Sequence, residues 1–236
     1  MAAGREIQSC LAVAKGMVRL VRRPRERAGY GGPFNGQLRR AECFRQLVKA
    51  IACDVIIETG TFRGTTSAFM RDETGLLVLT VERNPLAFGY CAARFLLRRG
   101  VKVFNADSRP FLATIDVSEG LHKRPFVYLD AHCHKVETPI SDEVRLVTSR
   151  WPKAVIMIDD FEVPDDPGYF FDSYSNGEAL CLDYLRRFLP AQAAVYFPTA
   201  VSGSETGRRR GAVVIAVSTD TQHQLDRVPS IRRWAG

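Results

Sequence analysis

VIIETGTFRGTTSAFMRD (55–72) is the stretch on which the fold turns. Its first six residues are a short apolar run ending in a Gly/Thr turn, and TTSAFMRD then takes up helical spacing. The same unit recurs down the chain. LLVLTVE (76–82) precedes PLAFGYCAARFLLRR, and VKVFNAD (101–107) precedes a short helix around Pro110 to Ile115. PFVYLDA (125–131) precedes SDEVRLVTSR, and AVIMIDD (154–160) is followed by a Pro/Asp/Gly-rich loop and ALCLDYLRRFL. Two last strands, AAVYFP and GAVVIAVS, joined by SGSETGRRRG, read as an antiparallel pair. Short apolar runs alternating with helices predict an α/β protein: a doubly wound sheet of about seven strands, mostly parallel with an antiparallel last strand, and helices on both faces.

Outward from this block, residues 1–40 form a basic arm and linker, and residues 41–236 form the sheet domain. The arm holds nine basic side chains against Glu6 and Glu26 and so carries the whole net charge of +7. The body is balanced, which argues against a nucleic-acid partner, since such enzymes show a basic face on the folded domain. EIQSCLAVAKGMVRLVRR (6–23) sets Ile7, Leu11, Ala14, Val18 and Val21 at helical spacing beside Lys15, Arg19, Arg22 and Arg23. Such a basic amphipathic helix packs on the body or on a second subunit of a homodimer, or lies peripherally on an anionic membrane. A Gly/Pro/Arg-rich linker follows, then a helix from about Gln37 to Ala52. No run reaches the ~18 apolar residues of a membrane span. Six unpatterned cysteines and the charges that interrupt any signal-type apolar segment predict a cytoplasmic protein.

Ligands of such sheets bind beyond the carboxyl ends of the strands. The first strand runs into Glu58-Thr-Gly60-Thr61-Phe62-Arg-Gly64-Thr65-Thr66. Gly60 and Gly64 allow close approach of a ligand to the backbone, and the helix beyond offers N–H groups. An acid at Glu58 does not suit a pyrophosphate, and GxGxxG is absent. An ammonium near Glu58 with a carboxylate near the helix start fits better, which describes the amino-acid end of S-adenosyl-L-methionine. Glu82 ends the second strand, placed for ribose hydroxyls. Asp107, followed by Ser108, ends the third, placed for an exocyclic adenine amine. The blander role of each acid is a helix cap.

Strand four ends in Asp130-Ala-His132-Cys-His134, and strand five in Asp159-Asp160. Neighbouring parallel strands would crowd Asp130, Asp159 and Asp160, and an all-oxygen set of this kind suits Mg²⁺ or Mn²⁺. The loop FEVPDDPGYFFDSYSN (161–176) is long and aromatic enough for a lid. GPFNGQ (32–37) could fold over the cofactor site, with simple helix capping as its alternative. Arg208–Arg210 either meet an acidic or hydroxylated substrate or decorate a solvated hairpin tip.

With these residues in place, the sequence resembles the class I S-adenosylmethionine-dependent methyltransferases. ETGTFRG resembles their first motif, Glu82 the ribose acid, and NADSRPFL the adenine-contacting segment, over roughly residues 54–218. The resemblance implies a Rossmann-like fold and bound S-adenosyl-L-methionine, with Asp130 also beside the cofactor. The acid pair after strand five is similar to that of metal-dependent O-methyltransferases of the catechol and the macrocin and aminocoumarin-sugar types. That implies Mg²⁺ on Asp130, Asp159 and Asp160, and a small hydroxylated acceptor such as a sugar or phenol. His132 takes the place of the general base, with His134 and Lys135 as alternatives. Two other readings remain open on the same residues: a metal-dependent hydroxylase or oxidoreductase, and a non-catalytic cofactor-binding accessory protein.

Overall fold

The computed structural model describes residues 2–115, 124–131 and 138–235. Five apolar runs form parallel strands: β1 (Val55–Thr59), β2 (Val78–Val81), β3 (Val101–Phe104), β4 (Pro125–Leu129) and β5 (Val155–Asp159). Three more complete the sheet: β6 (Ala194–Pro198), β7 (Ala212–Ala216) and β8 (Ile231–Arg233). The order is β3-β2-β1-β4-β5-β7-β6-β8. β7 slots between β5 and β6 and runs antiparallel to both, and β8 pairs antiparallel with β6. The sheet is therefore the mostly parallel, doubly wound one that the sequence predicts, extended by β8, a three-residue edge strand with no apolar run to announce it.

The helices are α1 (Ala2–Arg22), α2 (Leu38–Ala50), α3 (Thr65–Thr74), α4 (Pro85–Phe95), α5 (Ser108–Thr114), α6 (Ile140–Arg150), α7 (Leu182–Arg186) and α8 (Thr219–Leu225). Strand residues alternate between two cores, as side chains on a pleated backbone must. Ile57, Leu79, Val127, Leu129, Ile156 and Ile158 join Phe111 of α5 and Val144 and Val147 of α6 on one face. On the other, Ile56, Val78, Phe126, Tyr128 and Met157 meet Phe44 and Leu47 of α2 and Tyr90 of α4. Asn84 caps α4, accepting from the N–H groups of Leu86 and Ala87, and Pro85 opens the helix where its missing N–H costs nothing.

The first helix departs from its expected packing face. Of the stripe at helical spacing, Leu11, Ala14, Val18 and Val21 are exposed, and the Ile7 side chain lies outside the described residues. The opposite face, with Gly16 and Leu20 buried, lies on α4. Glycine decides this. A Cβ on Gly16 would overlap the carbonyl oxygen of Leu86, and one on Gly89 would overlap that of Val13, so two bare backbones meet where they cross. Apolar periodicity alone points to the wrong side of the helix, because contact between glycine backbones leaves no hydrophobic signal. Among the described residues no helix is long and apolar enough to cross a membrane.

Two 3₁₀ segments, Pro24–Gly31 and Pro33–Gly36, lead from α1 to α2. Tyr30, Phe34 and Asn35 hold positive φ there, as do Gly31, Gly32 and Gly36, and the chain loops tightly over the carboxyl edge of the sheet.

Candidate functional site

A cleft of about 820 Å³ opens at that edge. The turn after β1 forms its centre. Gly60 has φ +86°, and a Cβ there would collide with the backbone carbonyl of Asp130 at the end of β4, so only glycine lets the two strand ends close up. Gly64, in the left-handed conformation, starts α3. It packs against Phe95 and lies behind the cleft wall. Glu58, Gly60, Thr61, Phe62, Thr65 and Thr66 line the cleft. So do Glu82 from the end of β2, Asp107 and Ser108 after β3, and Asp130 and Asp160 after β4 and β5. Most of the residues singled out in the sequence thus face one cavity.

Their electrostatics differ. Glu58 is buried, and its Oε2 accepts from the hydroxyls of Ser67 and Thr80, the latter at 2.6 Å. Burial pushes its carboxyl up to about 7 against the pull of those two hydrogen bonds. Glu82 bridges the turns after β1 and β2, accepting from the N–H of Phe62 at 2.8 Å and of Asn84 at 2.7 Å. Asp107 caps α5 through the N–H of Arg109 and pairs with that arginine's side chain at 2.9 Å. The Arg109 hydrogen bond holds its carboxyl below the ordinary range. Asp107 is therefore both helix cap and cleft wall.

The acids after β5 do not do what their sequence suggests. Asp159 is wholly buried and does not line the cleft. One oxygen is ion-paired with the guanidinium of Arg40, itself buried on α2. The other accepts from the Tyr128 hydroxyl at 2.7 Å and the Asn35 amide at 3.2 Å. Burial opposes its ionisation, and Arg40 and Tyr128 together outweigh burial and hold it below the ordinary value. Asp160 turns the other way, with φ +54°, and faces the cleft, paired with Arg210, which also binds Asp172. Burial, reinforced by neighbouring Asp159, raises its carboxyl to about 7.

The donor set therefore does not fit the expected Mg²⁺ or Mn²⁺ site. A guanidinium and two further donors already satisfy Asp159, and the two consecutive carboxylates diverge. Among the described residues no three His, Cys, Asp or Glu side chains converge on an ion. The expected base, His132, lies outside the described residues, as do His134 and Lys135.

The N-terminal segment takes the first of the two roles its sequence allows. Tyr30, Gly32 and Asn35 line the cleft, so this segment does fold over it. A clasp to the β6–β7 loop fixes it. Gln37 donates to the Arg210 carbonyl at 2.9 Å and accepts from the Arg210 N–H at 2.7 Å, Thr206 Oγ1 donates to the Gly36 carbonyl at 2.7 Å, and Glu205 accepts from the N–H groups of Arg39 and Arg40 at 3.0 Å. Tyr30 stacks on Phe62 at 5.3 Å, and the Arg208 guanidinium lies over Tyr30 at 4.2 Å. The positive-φ glycines of 31–36 were the available signal. Of the long loop after β5, Asp172 reaches the cleft while Tyr169 and Tyr174 are buried. A second cavity, of about 330 Å³ beside Cys43, Tyr169 and Ser230, contains none of the predicted site residues.

No family model matches this chain, and no curated relative matches its sequence. Solved structures do share its shape. The O-methyltransferase TomG from Streptomyces achromogenes, involved in tomaymycin synthesis and solved in complex with SAM, aligns with a TM-score of 0.53 at 17% identity, over 76% of this chain and 80% of that one. An O-methyltransferase from Bacillus cereus in complex with SAH aligns with a TM-score of 0.52 at 19% identity, over 74% and 79%. A putative O-methyltransferase from Klebsiella pneumoniae gives 0.51 at 17%, over 77% and 81%. At such identities the likeness is one of architecture: this chain has a Rossmann-like methyltransferase fold.

Proposed function

We propose that the protein is an S-adenosyl-L-methionine-dependent O-methyltransferase acting on a hydroxyl of a small molecule. The observation that carries this reading is the meeting of Glu58, Glu82 and Asp107, the acids at three successive strand ends, around one cleft. Their order matches an ammonium, a ribose and an adenine laid across β1, β2 and β3. The cofactor, when bound, would supply an electrophilic methyl group on a sulfonium. Glu58 would hold the ammonium, Glu82 the ribose hydroxyls and Asp107 the exocyclic amine, with the turn of Gly60 to Thr66 against the amino-acid end. Tyr30 and Asn35 would exclude water from above. Catalysis then consists mainly of positioning an acceptor oxygen and removing its proton. We assign that proton to His132, two residues beyond Asp130. Mg²⁺ is not part of this proposal, because Arg40 occupies Asp159.

Calorimetric titration with S-adenosylhomocysteine tests the reading. Micromolar binding at about one per chain is expected, unchanged by EDTA and at least ~10-fold weaker in Glu82→Ala, the loss of paired hydrogen bonds to a charged group. Absence of binding, with or without Mg²⁺, would remove the methyltransferase reading.

A further inference from the structure

The outer face of α1 is an apolar stripe that the fold leaves uncovered. Leu11, Val18 and Val21 are 56%, 49% and 79% exposed, with Ala14 exposed between them. They recur at a spacing that keeps them on one side of the helix, opposite the Gly16 crossing with α4. Lys15 and Arg22 border the stripe, and Arg25 and Arg27 follow directly; all four are exposed. Acids are scarce here. Within residues 1–40 they are Glu6 and Glu26, and Glu26 is taken by Arg19 at 2.8 Å and Arg63 at 3.0 Å.

We propose that this face of α1 docks the protein on an anionic lipid surface. The inference is independent of the reaction assigned to the cleft. Charge complementarity selects the partner. A second copy of the same face would bring like-charged Lys15 and Arg22 side chains together. A nucleic-acid backbone would answer the cations but leave Leu11, Val18 and Val21 in water. A membrane interface does both: acyl chains bury the stripe while headgroups meet the flanking cations. The glycine crossing lets α1 do this without leaving the body, since its inner face stays on α4 while the outer face inserts.

Flotation of the full-length protein with phosphatidylglycerol–phosphatidylcholine vesicles, and with pure phosphatidylcholine vesicles, tests this. The protein is expected to float with the former, not the latter, and to be released by raised salt. Val18→Asp with Val21→Asp is expected to weaken vesicle binding about 10-fold or more, and Lys15→Gln with Arg22→Gln by a similar factor. Thermal unfolding of both variants should stay close to wild type, since all four side chains are on the exposed face of α1. Failure of the wild type to float, or flotation unaffected by the paired aspartates, would overturn the proposal. So would a wild-type dimer in sedimentation that the aspartates dissociate, which would make the face a self-interface.

Discussion

Arg40 and Asp159 show how one residue can redirect the reading of a site. A buried ion pair contributes little net stability over an apolar pair, yet removing one partner strands the other charge in a low-dielectric interior. Arg40→Met is therefore expected to destabilise the protein by about 3–5 kcal/mol, measured by urea unfolding. Adding Asp159→Asn should recover part of that loss, because no uncompensated charge then remains. A cost below about 1 kcal/mol for the single change would mean that water reaches the pair and the carboxylate is open after all. The sequence shows two adjacent acids at a strand end, and nothing near them announces an arginine from α2. The acids facing the cleft were legible because each sits at the end of a recognisable apolar run. The partner of Asp159 was not, because ion pairing across the fold has no local pattern.

Among the elements, α1 and α4 carry the most specific packing claim. Gly16 and Gly89 sit where each backbone would strike the other helix if it bore a side chain. Gly16→Val should therefore lift α1 from α4, giving proteolytic cleavage within residues 1–36 at protease levels that leave wild type intact. The sheet's own melting should shift little. Equal protease resistance of the two proteins would place α1 elsewhere. The elements best read from sequence were β1 to β7, whose apolar runs are bounded by turns. β8 and α8 escaped notice because IRR and TDTQHQL carry too few apolar residues to set a period. They are held by neighbours instead: β8 pairs antiparallel with β6, and Gln222 on α8 donates to the Gln192 carbonyl at 2.7 Å and accepts from the Arg233 guanidinium at 2.9 Å.

The molecule as a whole should feel its buried acids through pH. Burial raises Glu58 and Glu143 from the ordinary carboxyl value to about 7. Between about 4.5 and 7 the folded chain holds protons that the unfolded chain releases, so stability falls as pH rises through that window and levels off above it. Each carboxyl contributes up to roughly 3 kcal/mol. Denaturation midpoints of the ligand-free protein should therefore be higher near pH 5 than near pH 8. Glu58→Gln should flatten the curve. A midpoint that climbs steadily from pH 5 to pH 8 would contradict the burial of both groups.

The insertion of β7 between β5 and β6 also sets a schedule. A chain emerging from the ribosome can pair β1 through β5 as they appear, but the open flank of β5 must wait for a strand made after β6. At ~5–20 residues per second that interval lasts several seconds, with Val155 to Asp159 presenting an unsatisfied edge throughout. The nascent protein thus passes through a stage in which its central strand is also its stickiest border, and the arrival of β7 decides whether that border is sealed by its own chain or by a neighbour's.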